Sequence, residues 1–411
     1  MKKSSLKVIV FIAFILFIAF YSNILGFGGR DNKPLLNLKN LEWNFVSNNN
    51  NKNFKISRKL DESSLELIDK TKYGYYREPS QDPPKGLKAK AIPQFIVFGF
   101  DDNYDVKGME AIIRLFKNYK NPKGNNNTLT FDEINIRATF YNTVKFVDLN
   151  NELKNTWKKA YLEGFEIGNH TYSHQNGSGK NYKEYNDEII KSEEILKSFL
   201  GEDFKSSGFR APFLSYNQEG LQAIKDFGFE YDCSIPEGDQ DGVDGSKCYW
   251  PYTLDNGSPC NEYANIYWND PLVTGVKGLW EIPAYSHTVP DDNKCEKYGI
   301  EKGLRNRMYK ASKDFDIETG KVSGMEWNVI DKFKASKKEY TAILKYSLDL
   351  RMNGNKSPLT VGVHSNYYSD MSYYNALKEF IEYALEKEDV RIVTAKQLLK
   401  WLENPVTMEN K

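Results

Sequence analysis

The chain has four histidines in 411 residues, and three of them, His170, His174 and His364, stand just past short apolar runs. Asp101 and Asp102 complete FGFDD in the same way, Arg210 ends GFR, and Asp232 ends FEYD. Imidazole and carboxylate are common zinc ligands, so two histidines spaced as HTYSH, joined by an aspartate from another segment, can hold one divalent ion and leave coordination positions open. A second carboxylate and a third imidazole then supply a general base and a general acid. Each signal has an ordinary reading when taken alone: an Asp-Asp pair after a strand usually caps a helix, and turn histidines usually satisfy backbone groups. The scarcity of histidine and the shared position tilt the balance toward a site. A zincin-type protease is disfavoured, because Thr171 stands where the HExxH pattern carries its glutamate base.

The elements that must position these groups are βαβ units packing a largely parallel sheet, whose C-terminal rim is where α/β barrels build their sites. Strands are expected over residues 95–100, 137–141, 165–168, 208–210, 229–232, 279–283, 359–363 and 390–393. Helices are expected over 107–119, 152–162, 182–200, 219–227, 332–352 and 373–385. Two stretches break the rhythm, about 233–275 and about 288–325, and read as loop insertions. Residues 27–90 are rich in Asn, Lys and charge and read as a stalk or lead-in, with one possible helix near 62–70. The catalytic domain is placed at 91–403 and a short tail at 404–411. No internal repeat is visible.

Lys+Arg and Asp+Glu both number 56, so no net field gathers nucleic acid, and a neutral sugar polymer is permitted. Lys2, Lys3 and Lys7 precede an apolar run from Val8 to Phe20 that resumes at Ile24, which marks residues 1–26 as an export signal. Cleaved signal peptide and uncleaved anchor, with residues 8–25 in the membrane, both remain open; either places the rest in an extracytoplasmic setting, secreted or at the cell envelope. The four cysteines, Cys233, Cys248, Cys260 and Cys295, lie close in sequence, and disulfides are the default expectation, with Cys248–Cys260 favoured because it closes a short loop. Oligomeric state is not legible.

Four short motifs, in order and spacing, resemble the NodB-homology polysaccharide deacetylases, the fourth family of carbohydrate esterases. FDD at 100–102, HTYSH at 170–174, RAPF at 210–213 and VH at 363–364 carry the resemblance, which spans roughly Ile92 to Leu402. YWPYTLD at 249–255 and GLWEIP at 278–283 look like the chitin-deacetylase-like branch.

The resemblance implies a distorted (β/α) barrel with fewer than eight regular strands. It also implies a metal site of Asp102, His170 and His174, holding zinc in the first instance, with cobalt or nickel as alternatives. Asp101 would be the general base, Arg210 its anchor and His364 the general acid. The backbone N–H of Phe213 would meet the oxyanion, and Trp280 and Tyr367 are candidates for stacking on sugar rings. The substrate implied is an N-acetylated polysaccharide, whether chitin-like, peptidoglycan or exopolysaccharide. The alternatives are an inactive carbohydrate-binding protein of the same fold and an O-acetyl esterase.

Two departures stand out. The family's fourth motif sets an acid near a tryptophan, whereas Asp232, the residue assigned to it, is followed by Cys233. Gly362 stands two before His364 where the family has leucine, an arrangement expected to leave room beside the acetyl methyl. His287 has no motif partner and reads as a loop residue.

Overall fold

Strand β1, Gln94–Asp102, lies at the heart of the sheet, and its two faces do different work. Side chains alternate along a strand: Ile96, Phe98 and Phe100 join the apolar cluster under the helices, while Phe95 and Val97 join a second cluster on the inner face. Asp101 continues that inner row. In chain order there follow α1 (Val106–Lys117), β2 (Thr139–Asn142), α2 (Asn151–Leu162), β3 (Glu166–Asn169), α3 (Tyr182–Leu200), β4 (Gly208–Phe209), α4 (Gln218–Phe227) and β5 (Tyr231–Asp232). The first inserted stretch holds β6 (Pro236–Glu237), β7 (Tyr252–Thr253) and α5 (Asn261–Trp268) and leads to β8 (Trp280–Glu281). The second region holds β9 (Ala284–Tyr285), β10 (His287–Thr288), α6 (Asp292–Cys295), α7 (Leu304–Ala311) and β11 (Lys321–Val322). A π-helical turn at Asn328–Lys332 precedes α8 (Lys337–Asn353), β12 (Leu359–His364), α9 (Met371–Leu385), β13 (Val390–Val393) and α10 (Ala395–Glu403).

This computed structural model describes residues 76–148, 150–240, 242–268 and 271–409. The export segment 1–26 with its apolar run 8–25, the lead-in up to residue 75 and the helix expected near 62–70 lie outside the described residues. Among the described residues no helix is long and apolar enough to cross a membrane.

The main sheet runs β12-β1-β2-β3-β4-β5-β8-β7, with β13 also paired to β1. Every pairing in it is parallel except that of β7 with β8. Between the chain after β8 and β12 the sheet is linked through Thr360 instead of a ladder. Its hydroxyl donates to Pro283 O at 3.0 Å and accepts from Tyr285 N at 3.0 Å. His287 Nε2 sits 2.9 Å from Thr360 O, so this histidine is a buried structural residue on β10 and not part of a loop. The result is the expected barrel, distorted where side chains replace strand pairing.

Local sequence explains the flanking helices. On α1 the buried Met109, Ile112, Ile113 and Phe116 fall at i, i+3, i+4 and i+7, and the Asp105 side chain caps the N-terminus by accepting from Gly108 N. Each such side chain contributes about 1.5–3 kcal/mol on burial. Helix α8 starts at Lys337, five residues later than expected, because Ser336 and Glu339 form a capping box. Helix α10 was not expected. The insertions are also more regular than their composition implied, since β6 pairs with β9 and β10 with β11. The end of the lead-in is tied to this framework: Thr253 N donates to Arg77 O and Trp250 N to Ser80 O, both at 2.9 Å.

The cysteine expectation is corrected. All four are buried and none is in a disulfide, so the Cys248–Cys260 bridge is not formed. Cys248 Sγ instead receives a hydrogen bond from the Arg351 guanidinium, Cys233 Sγ one from Arg210, and Cys295 Sγ donates to Asp291 O.

Strand β13 is locked to the loop before β2 by a fully buried ion pair, Arg391 with Asp132, at 2.7 Å. Removing one partner strands the other charge in the core. Asp132→Ala is therefore expected to lower unfolding free energy by about 3–5 kcal/mol in denaturant titration; a loss below about 1 kcal/mol, as for a surface pair, would contradict this role.

Candidate active site

The site begins where strands stop. Asp101, the last inward residue of β1, accepts from Arg210 Nη1 at 2.8 Å, with the two side chains only 4% and 2% exposed. Asp102 leaves the strand with φ of 65° and accepts from Thr143 Oγ1 at 2.9 Å. The adjacent carboxylates thus belong to different surroundings. His170, after β3, places Nδ1 2.7 Å from Arg210 O. A carbonyl only accepts, so Nδ1 carries the proton and Nε2 presents its lone pair. His174 Nε2 lies 3.2 Å and His170 Nε2 3.9 Å from Asp102 Oδ1.

The geometry of these three residues fits a ligand set. Their donor atoms all fall within 4.8 Å of one another. Donors at about 2.0–2.2 Å from a tetrahedral zinc stand about 3.4 Å apart, which the two Asp102 separations bracket. Burial, followed by the neighbouring His170, lowers the His174 pKa to about 4 against the pull of Asp102 and Asp101. At neutral pH His174 is therefore an uncharged imidazole with a lone pair to give. Backbone strain is concentrated here as well. Of twelve described non-glycine residues with left-handed φ, six are Asp102, Asn103, Thr171, His174, Phe213 and Leu214. Such conformations cost on the order of 1–3 kcal/mol each and persist where surrounding structure imposes them.

On the other side of β1, His364 ends β12 in direct register with Asp101. Its Nδ1 lies 2.9 Å from Glu326 Oε1, and its backbone N–H donates to the same oxygen. Glu326 is fully buried. Burial by itself would lower the imidazole pKa, but the charge and hydrogen bond of Glu326, helped by Asp101 and Asp102, raise it to about 9. A cavity of about 540 Å³ opens between Asp101, Asp102, His170, His174 and His364, with Phe213, Leu214, Met325, Trp327 and Asn328 completing its wall. Phe213 is 67% exposed, and its ring centroid is 4.6 Å from that of His174.

Sequence reasoning placed six of these side chains together and misplaced others. Asp232 is fully buried away from the cavity lining, accepts from Ser234 N and Oγ, and pairs with Glu281; burial pushes both carboxyl pKa values up. The acid beside His364 is Glu326, followed at once by Trp327, an acid-and-tryptophan pair later in the chain than Asp232. That Glu-Trp dipeptide was the signal available. Trp280 is 5% exposed and packs in the inner apolar cluster, so it is not a sugar platform. The Tyr367 hydroxyl donates to Asp331 and its ring packs edge-on to Tyr373, which keeps it out of the cavity lining. Trp327, 51% exposed, is an aromatic residue that does line the cavity.

Residues 88–231 match the family described as polysaccharide deacetylase. Over 344 residues the chain is 22% identical to chitin deacetylase 8 of Bombyx mori, covering 80% of this chain and 76% of that protein. Over 110 residues it is 34% identical to a peptidoglycan-N-acetylglucosamine deacetylase of Bacillus cereus, covering 26% of this chain and 32% of that one. A crystal structure described as a polysaccharide deacetylase from Mycobacterium smegmatis superposes with a TM-score of 0.50 at 14% identity, over 79% of this chain and 95% of that one, a likeness of fold. The stretch matched to the family carries both aspartates, both imidazoles of the ligand set and Arg210, and over that stretch the chain is similar to the polysaccharide deacetylases.

Proposed function

We propose that the protein removes N-acetyl groups from an amino-sugar polysaccharide outside the cytoplasm, releasing acetate, with one divalent ion, zinc in the first instance, held by Asp102, His170 and His174. The observation that carries this reading is the placing of Asp101 and His364 side by side at the ends of paired strands, with the ligand set in the same cavity. A cation there supplies Lewis acidity, lowering the pKa of water and polarising the acetyl carbonyl. Asp101, held by Arg210, accepts the proton of the attacking water as the new C–O bond forms. The Phe213 backbone N–H meets the developing oxyanion. His364, kept protonated by Glu326, donates to the nitrogen as the C–N bond breaks, so acetate and a free amine leave.

The proton donor also bears on amide against ester. An amine is a poor leaving group until protonated, so the elevated His364 pKa supports the N-acetyl reading over O-acetyl hydrolysis. The named relatives act on chitin or peptidoglycan, and an N-acetylated amino-sugar chain is what they have in common. Lysines followed by an apolar run at the N-terminus support export.

Two measurements test this reading. Zinc-, cobalt- or nickel-loaded protein should release acetate from at least one of a panel of N-acetylated glycans, and Asp101→Asn should lower the rate by about 10²–10⁴-fold. Folded, metal-loaded protein that releases none, or an Asp101→Asn variant of full activity, overturns it. The second is a pH profile. An acid with pKa near 9 works below that value and fails above it, so activity should fall on the alkaline side near pH 9. In Glu326→Gln this limb should move toward neutrality by about one to three pH units; an unmoved limb removes Glu326 from the role.

A further inference from the structure

Two glycines face each other across the central strand pair. Gly99 of β1 and Gly362 of β12 are in register, one inward position below the Asp101–His364 pair. Each gives up its side-chain space to a residue arriving from elsewhere. A Cβ on Gly99 would stand 2.7 Å from Arg210 Nη1 and 2.9 Å from the Tyr141 ring. A Cβ on Gly362 would overlap Met325 Sδ and lie 3.1 Å from its Cε. The layer beneath the base and the acid is thus made of Arg210 on one side and Met325 on the other.

Arg210 is committed to Asp101 and Cys233. Met325 is not so committed. It is 9% exposed, it lines the cavity shared by Asp101 and His364, and Gly362 lies behind it. The room expected beside Gly362 is therefore filled from another segment. Gly362 N donates to Gly324 O at 2.9 Å, which pins the Met325 backbone against β12. Successive inward positions on a strand are about 6.6 Å apart, the depth of a short acyl chain whose carbonyl carbon sits between Asp101 and His364.

We propose that the Met325 thioether is the floor of an acyl pocket and sets the length of acyl group the site accepts. This rests on the amide-hydrolase reading above. One methyl fits above the sulfur; further methylenes meet it. A pocket of this kind discriminates about 10- to 200-fold per methylene, and removal of the side chain as far as Cβ leaves space for the longer chain.

The test compares zinc-loaded wild type, Met325→Ala, Met325→Leu and the double variant Met325→Ala/Gly362→Leu. Hydrolysis of N-acetyl, N-propionyl and N-butyryl chitooligosaccharides is measured, and so is binding of acetate, propionate and butyrate by calorimetry. Met325→Ala should raise the butyryl-to-acetyl ratio by about tenfold or more in both assays. Met325→Leu, of similar volume, should keep the acetyl preference. The double variant, which moves the side chain across to position 362, should restore it, including where Met325→Ala is poorly folded. If no amide is cleaved but the carboxylate preference shifts with Met325, the amide-hydrolase reading falls and the pocket stands. If the carboxylate ladder and the hydrolysis ratio both ignore position 325, the pocket assignment is wrong.

Discussion

One buried guanidinium organises the site. Arg210 donates to Asp101 Oδ1 at 2.8 Å and to Cys233 O at 3.1 Å, lies 4.3 Å over the Tyr141 ring, and through its own carbonyl receives His170 Nδ1 at 2.7 Å. A single residue thus orients the base and sets the tautomer of a ligand. A charge buried this deeply is tolerable only with a matched partner, and taking one partner away costs about 3–5 kcal/mol. That demand propagates outward. Gly99 has to lack a side chain so that the guanidinium can fit, and β4 and β5, each two residues long, serve mainly to deliver Arg210 and Cys233 to the interior.

The rest of the architecture holds strained ends still. Phe98 meets Phe116 and Phe380 edge-on, Phe100 packs on Phe140 and Tyr368, and this aromatic layer anchors β1 immediately behind the two aspartates. Because packed interiors deform little, the left-handed turns at Asp102, His174 and Phe213 can be maintained at the rim. Stability generated between sheet and helices is in this sense expended at the site.

Much of this was legible in the chain because strand-end chemistry follows from period. FIVFGFDD alternates, so Asp101 and Asp102 had to fall on different faces, and HTYSH follows a run that ends in a tight turn. The fourth motif was not legible by the same logic, since Glu326 lies on no strand; it reaches His364 from the chain just after β11, held by a bond between Gly324 and Gly362. Trp280 was misread because a two-residue strand offers no alternation from which to tell the inner apolar face from the rim. The cysteines were read by compartment and spacing, whereas the fold places two of the thiols against arginines. Composition does not reveal such pairings.

The chemistry of the site depends on whether Asp102, His170 and His174 share one cation. Titration of the metal-free protein with cobalt, followed by its visible absorption, reads this directly. One equivalent should bind per chain, with a spectrum of low-coordinate nitrogen and oxygen ligation that is lost or strongly weakened in Asp102→Ala, His170→Ala and His174→Ala alike. Folded wild type that takes up no cobalt, or a triple variant that binds it unchanged, would contradict the account.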